Sequence, residues 1–344
     1  MKKVLIYLLA ISLFMGSTIA FAEGLSIGDE DVYKGLVGYK NIQNKINYKA
    51  IDKSFAKSSI IKLFALDIFK GDEANFKPKT NITRRQALTC ISRALGLYEE
   101  EDIIETLLKL GIITKEEYES ITDLSDEQLK RIDENVKKLS EKGKLSKEQI
   151  SKIKEKEIEK LTWDRNATRE EVALWIGRSL GLEGKTPYIV KGFKDYSSFN
   201  SQNITLMEAF LQQVNMVGYN DGYFRPKRAI TREQFAKILD YALDDLLITI
   251  GYQIKEGEID DIKRITTREG YLSVIQNIYY MKNTDGTYPI IHTSKSPRES
   301  LSQGFLVYRR GRLATSEILK VSDEIKYYVN PENNIVYSEF RGIY

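Results

Sequence analysis

The 344-residue sequence predicts an α+β chain, an N-terminal all-α bundle carrying an inserted helical hairpin, followed by a small C-terminal all-β barrel or sandwich. Three observations lead there. One threonine-headed helix start occurs three times, a charged helical segment interrupts the second copy, and from about Ile248 the apolar residues begin to alternate.

The first 22 residues have the pattern of a secretion signal. Lys2 and Lys3 precede an apolar run from Val4 to Met15, and Ala20-Phe21-Ala22 offers the small-x-small cleavage pattern. The expected mature chain begins at Glu23, with a lead segment over 23–49 and no bilayer anchor after cleavage, because no later run approaches the ~18 apolar residues of a membrane span. Without Lys2 and Lys3, 50 basic side chains face 49 acidic ones, a balance that argues against nucleic acid as a partner. Cys90 is the single cysteine and falls in an apolar helical pattern, as expected for a core residue. His292 is the single histidine, in a strand-like run. These two residues exclude the usual zinc sets and argue against a Ser-His-Asp triad. No metal or cofactor is expected.

The repeated segments are Ile82-Thr83-Arg84-Arg85-Gln86, Ala167-Thr168-Arg169-Glu170-Glu171 and Ile230-Thr231-Arg232-Glu233-Gln234. Threonine with Gln or Glu three residues later is a capping box, so each segment predicts a helix start. Behind the caps, Ala87, Leu88, Ile91 and Leu95, then Val172, Ala173, Ile176 and Leu180, then Phe235, Ala236, Leu239 and Leu243 form three apolar stripes. Gly96 and Gly181 are placed to end the first two helices in a left-handed turn; copy three lacks that glycine and runs on. Upstream of the third cap lies Gly218-Tyr219-Asn220-Asp221-Gly222-Tyr223-Phe224-Arg225-Pro226, turn chemistry followed by a core plug and a stiffening proline. Copy one repeats it loosely from Lys70 to Pro78, and apolar helical stretches precede the turns, so each unit reads as helix, turn loop and capped helix.

Each cap is followed by an arginine, Arg84, Arg169 or Arg232, in the first helical position, where a cation opposes the helix dipole. Two explanations stand side by side. The arginine and the amides of the helix start hold an anionic group together, or the arginine makes an internal ion pair, such as Arg232 with Asp221 or Asp195.

Phe193-Lys194-Asp195, the Gly218 to Pro226 loop and the Ile230 to Gln234 cap together resemble the S-layer homology domain. The resemblance covers about residues 50–247 in three copies, 50–98, 99–183 and 184–247, best in the third; copy two keeps only its cap and helix. It implies a pseudo-threefold helical bundle whose grooves between repeats bind secondary cell-wall polysaccharide, often pyruvylated. Carried over by position, the implied binding residues are Arg84 with Gly71, Arg232 with Gly218 and Asp221, and Arg169 alone. The groove of copy two is expected to be weak or absent.

In copy two a charged segment, 114–161, stands where the loop belongs. It holds three further capping boxes, Thr114/Glu117, Ser125/Gln128 and Ser146/Gln149, and a narrow stripe of Leu129, Ile132, Val136 and Leu139. A helical hairpin is expected there, as a solvated spacer in preference to a partner-binding arm. In the tail, 248–344, strands are expected over Ile254–Ile265, Tyr271–Tyr280, Tyr288–Thr293, Gly304–Arg309, Ile325–Val329 and Ile335–Phe340. Its tyrosines are expected in cross-strand pairs, and Thr267-Arg268-Glu269 imitates the cap without an apolar stripe behind it. The expected function is non-enzymatic, non-covalent anchoring of a secreted protein to the bacterial cell wall, at the cell surface, with the tail open to other cell-surface proteins. The alternatives are a wall or polysaccharide hydrolase using tail carboxylates such as Glu256, Glu258, Asp260 and Asp261, and an S-layer lattice subunit.

Overall fold

A computed structural model describes residues 25–26, 46, 48–70, 76–98, 102–143, 145–214, 216–269, 272–295 and 305–342. The signal segment, most of the lead segment and Gly71 with its loop lie outside the described residues. The helices are α1 (Tyr48–Ile51), α2 (Lys57–Ala65), α3 (Arg84–Ala94), α4 (Ile103–Lys109), α5 (Lys115–Thr122), α6 (Asp126–Gly143), α7 (Lys147–Leu161), α8 (Arg169–Ser179), α9 (Ile204–Val214) and α10 (Arg232–Thr249). The strands are β1 (Leu25–Ser26), β2 (Gln253–Glu269), β3 (Leu272–Asn283), β4 (Ile290–Lys295), β5 (Leu306–Arg309), β6 (Arg312–Thr315), β7 (Glu324–Val329) and β8 (Ile335–Phe340).

The three capped helices α3, α8 and α10 start as their sequences dictate. Thr83, Thr168 and Thr231 accept from the amide three residues on, and Gln86, Glu171 and Gln234 reach back to the cap amide. Their stripes are buried, apart from Leu95 and Leu180, which are half-buried at the helix ends, and Gly96 and Gly181 take left-handed φ of 74° and 65° where α3 and α8 stop. Cys90 is buried among them, and burial pushes its thiol up to about 12, as suits an inert core residue.

One motif joins the three units. The residues before the caps form a closed ring, in which the Ile82 amide donates to the Ile230 carbonyl (3.0 Å), Ile230 to Ala167 (3.0 Å) and Ala167 to Ile82 (2.9 Å). Outside it, the first two amides of each capped helix donate to carbonyls of the next unit's approach segment. Arg84 and Arg85 donate to Arg165 and Trp163, Arg169 and Glu170 to Arg228 and Pro226, and Arg232 and Glu233 to Thr80 and Pro78. These acceptors stand three and five residues before a cap threonine in every case, so the units are related by a pseudo-threefold axis. The helix starts, which would otherwise leave amides unsatisfied, supply the glue between units.

The insertion forms three helices. α6 and α7 make the hairpin, joined by the Lys154–Asp133 ion pair (2.7 Å), while α5 packs back onto copy two. The Ser125 and Ser146 capping boxes are complete. The Thr114 box is half formed, because Glu117 turns away from the cap to accept from the Trp175 indole (2.7 Å) and Arg178 (2.6 Å). Of the hairpin stripe, Ile132 and Val136 are buried and Leu139 is exposed.

The strands form one sheet in the order β1-β4-β3-β2-β7-β8-β5-β6. A flat sheet would hold β4 and β5 about 24 Å apart, five spacings of ~4.8 Å, yet Ile291 of β4 and Val307 of β5 share one core with Tyr279, Ile325 and Tyr327. The sheet therefore curls around itself. The 17-residue β2 makes this possible, pairing β7 with its first half and β3 with its second across a bulge at Ile259/Asp261. The barrel-like form of the expected pair is the one realised, open between β1 and β6; a sandwich's second sheet does not occur among the described residues. The short β6 falls in a stretch read from sequence as connection. Tyr328 and Tyr337 form a cross-strand pair with rings 5.5 Å apart, and Thr267 to Glu269 lie in β2.

The sheet's outer face is welded to the bundle. Leu306, Leu313, Tyr328 and Tyr337 belong to the same core as α2 and α10. In this seam Lys62, 5% exposed, meets Asp240 (3.2 Å), Glu339 (3.3 Å) and Asp244 (3.5 Å), and lies over the Tyr328 ring. Burial alone would lower the Lys62 ammonium, but Asp240, Tyr328, Glu339 and Asp244 outweigh it and hold its pKa above the usual range.

Candidate functional site

The cap arginines work inside the bundle. Arg84 reaches across the joint between copies one and two, donating to Glu171 (2.9 Å) and the Thr162 carbonyl (3.1 Å). Arg169 is buried at the joint between copies two and three, donating to the Phe224 carbonyl (3.0 Å), with its guanidinium over the Phe224 and Tyr219 rings. Burial, opposed by Tyr219 and reinforced by Arg228 and Arg225, pulls its pKa below the usual range. Arg232 lies over the Phe76 ring at 4.7 Å at the third joint. The first two amides behind each cap are taken by the neighbouring unit and the third by the threonine, so the anion cradle of helix amides, one of the two explanations open from the sequence, is filled by protein. The expected pairing of Arg232 with Asp221 or Asp195 gives way to other partners. Asp221 pairs with Arg225, and Asp195 accepts from the Phe224 (2.9 Å) and Arg225 (2.7 Å) amides.

Those two bonds hold the copy-three loop, where Arg225 takes a left-handed φ of 58°. A Cβ on Gly218 would come within 2.5 Å of the Phe193 ring and 2.9 Å of the Tyr223 carbonyl. Glycine is thus required there for packing. The turn carries three guanidinia to one aromatic ring. Arg225, Arg169 and Arg228 lie 4.4, 4.9 and 5.5 Å from the Tyr219 centroid, and Gln234 of the cap contacts the Tyr219 hydroxyl at 3.4 Å. Arg225 is matched by Asp221, but the exposed Arg228 has no acidic partner among the described residues. Tyr219 and Arg228 were not singled out from sequence. The signal was a loop and an approach segment with cations six and nine residues after a tyrosine, which gains meaning only once the left-handed turns bring them together.

The joint between copies one and two differs. There α5 lines a groove of about 660 Å³ that extends along copy two, from Arg84 of copy one past Arg165 to Asn200 and Lys227 of copy three, with Glu116 and Asp123 also in its lining. In the sheet, Glu256 pairs with Arg341, and the β2 bulge displaces Asp260 from register. Among the described residues no helix is long and apolar enough to cross a membrane, and no cluster of His, Cys, Asp and Glu could hold a metal ion.

A bundle of capped units, each seated by its helix start on the approach segment of the next, with guanidinia gathered at the joints, is a repeat-built module. The S-layer homology domain model matches residues 48–88 and 216–236, copy one into α3 and the copy-three loop with its cap. The chain is an S-layer homology domain protein. Such domains anchor proteins to the cell wall, which associates the chain with the wall and the cell surface. No curated protein matches the chain.

Proposed function

We propose that this protein is an exported, non-enzymatic anchor that binds an acidic, pyruvylated secondary cell-wall polysaccharide reversibly at the joints of its bundle. Copy two is then a third S-layer homology repeat whose loop has been exchanged for the insertion. The observation that carries the reading is Tyr219 with its three arginines. Guanidinium groups match carboxylates in two-pronged contacts, an aromatic ring offers a face to a sugar, and Arg228 still has its charge to give. In this reading Arg84, Arg169, Arg232 and Gly218 shape the joints, and Asp221 sets the orientation of Arg225.

Co-sedimentation of the full chain with purified sacculi, before and after the secondary polymer is stripped, tests it. The full chain is the right reagent because bundle and sheet share one core. Pelleting is expected with intact walls only, and a Tyr219→Ala/Arg228→Ala double variant, still folded, should bind at least about tenfold more weakly. Equal pelleting with stripped walls would overturn the reading.

A further inference from the structure

From the open edge of β2 we infer that the sheet holds a docking site for an extended acidic peptide, which joins it as an additional strand. This edge lies outside the residues matched to the S-layer homology domain, and the inference stands apart from the reading that the bundle binds wall polysaccharide.

On its β7 flank, β2 is paired only from Gln253 to Ile259. Gln253 to Glu258 form the ladder with β7. Ile259 closes it, its amide donating to the Asp323 carbonyl (3.0 Å) and its carbonyl accepting from the Ser322 amide (2.8 Å). β2 then runs on to Glu269 with β3 on one flank and, among the described residues, no strand on the other. Alternate residues of an antiparallel strand turn both main-chain groups to the same flank. The extra residue at the Ile259/Asp261 bulge shifts that alternation by one, so Ile262, Arg264, Thr266 and Arg268 turn theirs to the open flank. The Asp261 carboxylate accepts from the Ile262 amide at 2.8 Å, a cap at the point where the ladder stops. The main-chain groups beyond it form an edge of roughly 20 Å, at ~3.4 Å per residue, the kind of surface to which a strand adds.

Side chains choose the strand. Lys263, Arg264, Ile265 and Thr266 are exposed, and neither cation pairs with a carboxylate among the described residues. Lys263 lies over the Tyr280 ring at 4.8 Å. Neighbouring residues of a strand point to opposite faces, so one cation guards each face of the edge. Such charges turn away strands that would leave them unpaired. Two β2 edges paired about a two-fold axis at Ile265, the middle of the open stretch, would set Asp261 against Glu269 at both ends, like charges directly opposite. A second copy is thereby disfavoured. A strand with two adjacent carboxylates opposite Lys263 and Arg264, and an apolar residue opposite the 41% exposed Ile265, converts both guards into ion pairs.

The full chain is titrated with a fluorescein-labelled β-prone peptide that matches the edge in length and carries two adjacent glutamates, and with the same peptide carrying lysines. Anisotropy should rise to saturation with the glutamate peptide alone, and amide exchange at Arg264, Thr266 and Arg268 should slow in its presence. Lys263→Glu/Arg264→Glu, at exposed positions, should weaken the glutamate peptide at least about tenfold and admit the lysine peptide, a gain that a misfolded chain would not show. Thr266→Pro removes a main-chain donor from the open flank only and should abolish binding. No saturation up to ~1 mM, binding indifferent to peptide charge, or binding that survives Thr266→Pro would overturn the inference. So would slow exchange at these amides without peptide, the mark of an edge paired with a second copy. Pelleting with sacculi tests the bundle and is unaffected by any of these outcomes.

Discussion

The joint between copies one and two and the two joints around copy three share a backbone and differ in polarity. At the second helical position of copies two and three, Glu170 and Glu233 pair with Lys227 and Lys79 of the next unit, each at 2.6 Å. At the same position in copy one, Arg85 pairs with Asp164 and Glu159 of copy two. The amide-to-carbonyl contacts are alike at all three joints, so the main chain sets the symmetry and side chains decide which unit sits beside which. Inverting one pair of three makes a permuted order of units bring like charges together.

The largest expected effect separates the copies by their core plugs. Phe224, fully buried between Phe193 and Phe199, corresponds to the half-buried Leu161 seven residues before the cap of copy two. Phe224→Ala should cost about 4 kcal/mol and Leu161→Ala about 1 kcal/mol in urea unfolding; equal costs would mean that the insertion did not relieve copy two of its plug. Next, Glu233→Lys should cost about 3 kcal/mol, since it removes a buried carboxylate that also accepts from Ser54. Adding Lys79→Glu recreates the polarity of the Arg85–Asp164 pair, and the double-mutant cycle should recover about 1 kcal/mol; no recovery would show that the inversion carries no specificity.

The seam between bundle and sheet answers to acid. Burial would raise the Asp244 carboxyl, but Lys62, Lys326 and the Tyr328 hydroxyl outweigh burial and hold it below the ordinary carboxylate value. A depressed carboxylate contributes stability that is present above its unfolded value, ~3.9, and lost as pH falls through its folded value. Asp244→Asn should therefore cost about 2 kcal/mol at neutral pH and flatten the loss of stability below about pH 4; an unchanged acid limb would place that loss elsewhere. Smallest are the caps. Thr83→Ala, Thr168→Ala and Thr231→Ala should each cost about 1 kcal/mol, similar among the copies if the symmetry of the helix starts is also energetic.

Legibility in the sequence followed range. The capping boxes, the glycine stops and most strands are written within a dozen residues, and they stand where the sequence places them. The Ile82, Ala167 and Ile230 ring, the filled helix amides and the Lys62 seam depend on residues far apart in sequence, and no local pattern announces them. The candidate site was half legible. Gly218 and Asp221 stand out in the sequence, yet the one serves the Phe193 packing and the other pairs with Arg225, while Arg228 sits in an approach segment whose side chain meets the Tyr219 ring only at the joint. The anchoring of α5 through Glu117 to Trp175 and Arg178 was not legible, because those partners lie about sixty residues further along the chain.

The ring before the caps also bears on synthesis. Ser54 and the Glu233 that it binds are 179 residues apart in the chain, and Ile82 cannot satisfy its amide until Ile230 has emerged. Closure therefore waits for the last unit, and a chain extended from its N-terminus stays unlatched until then. A nascent chain stalled before residue 230 should remain open to protease throughout its first two units, and the full chain, with the sheet also in place, should be resistant across all three.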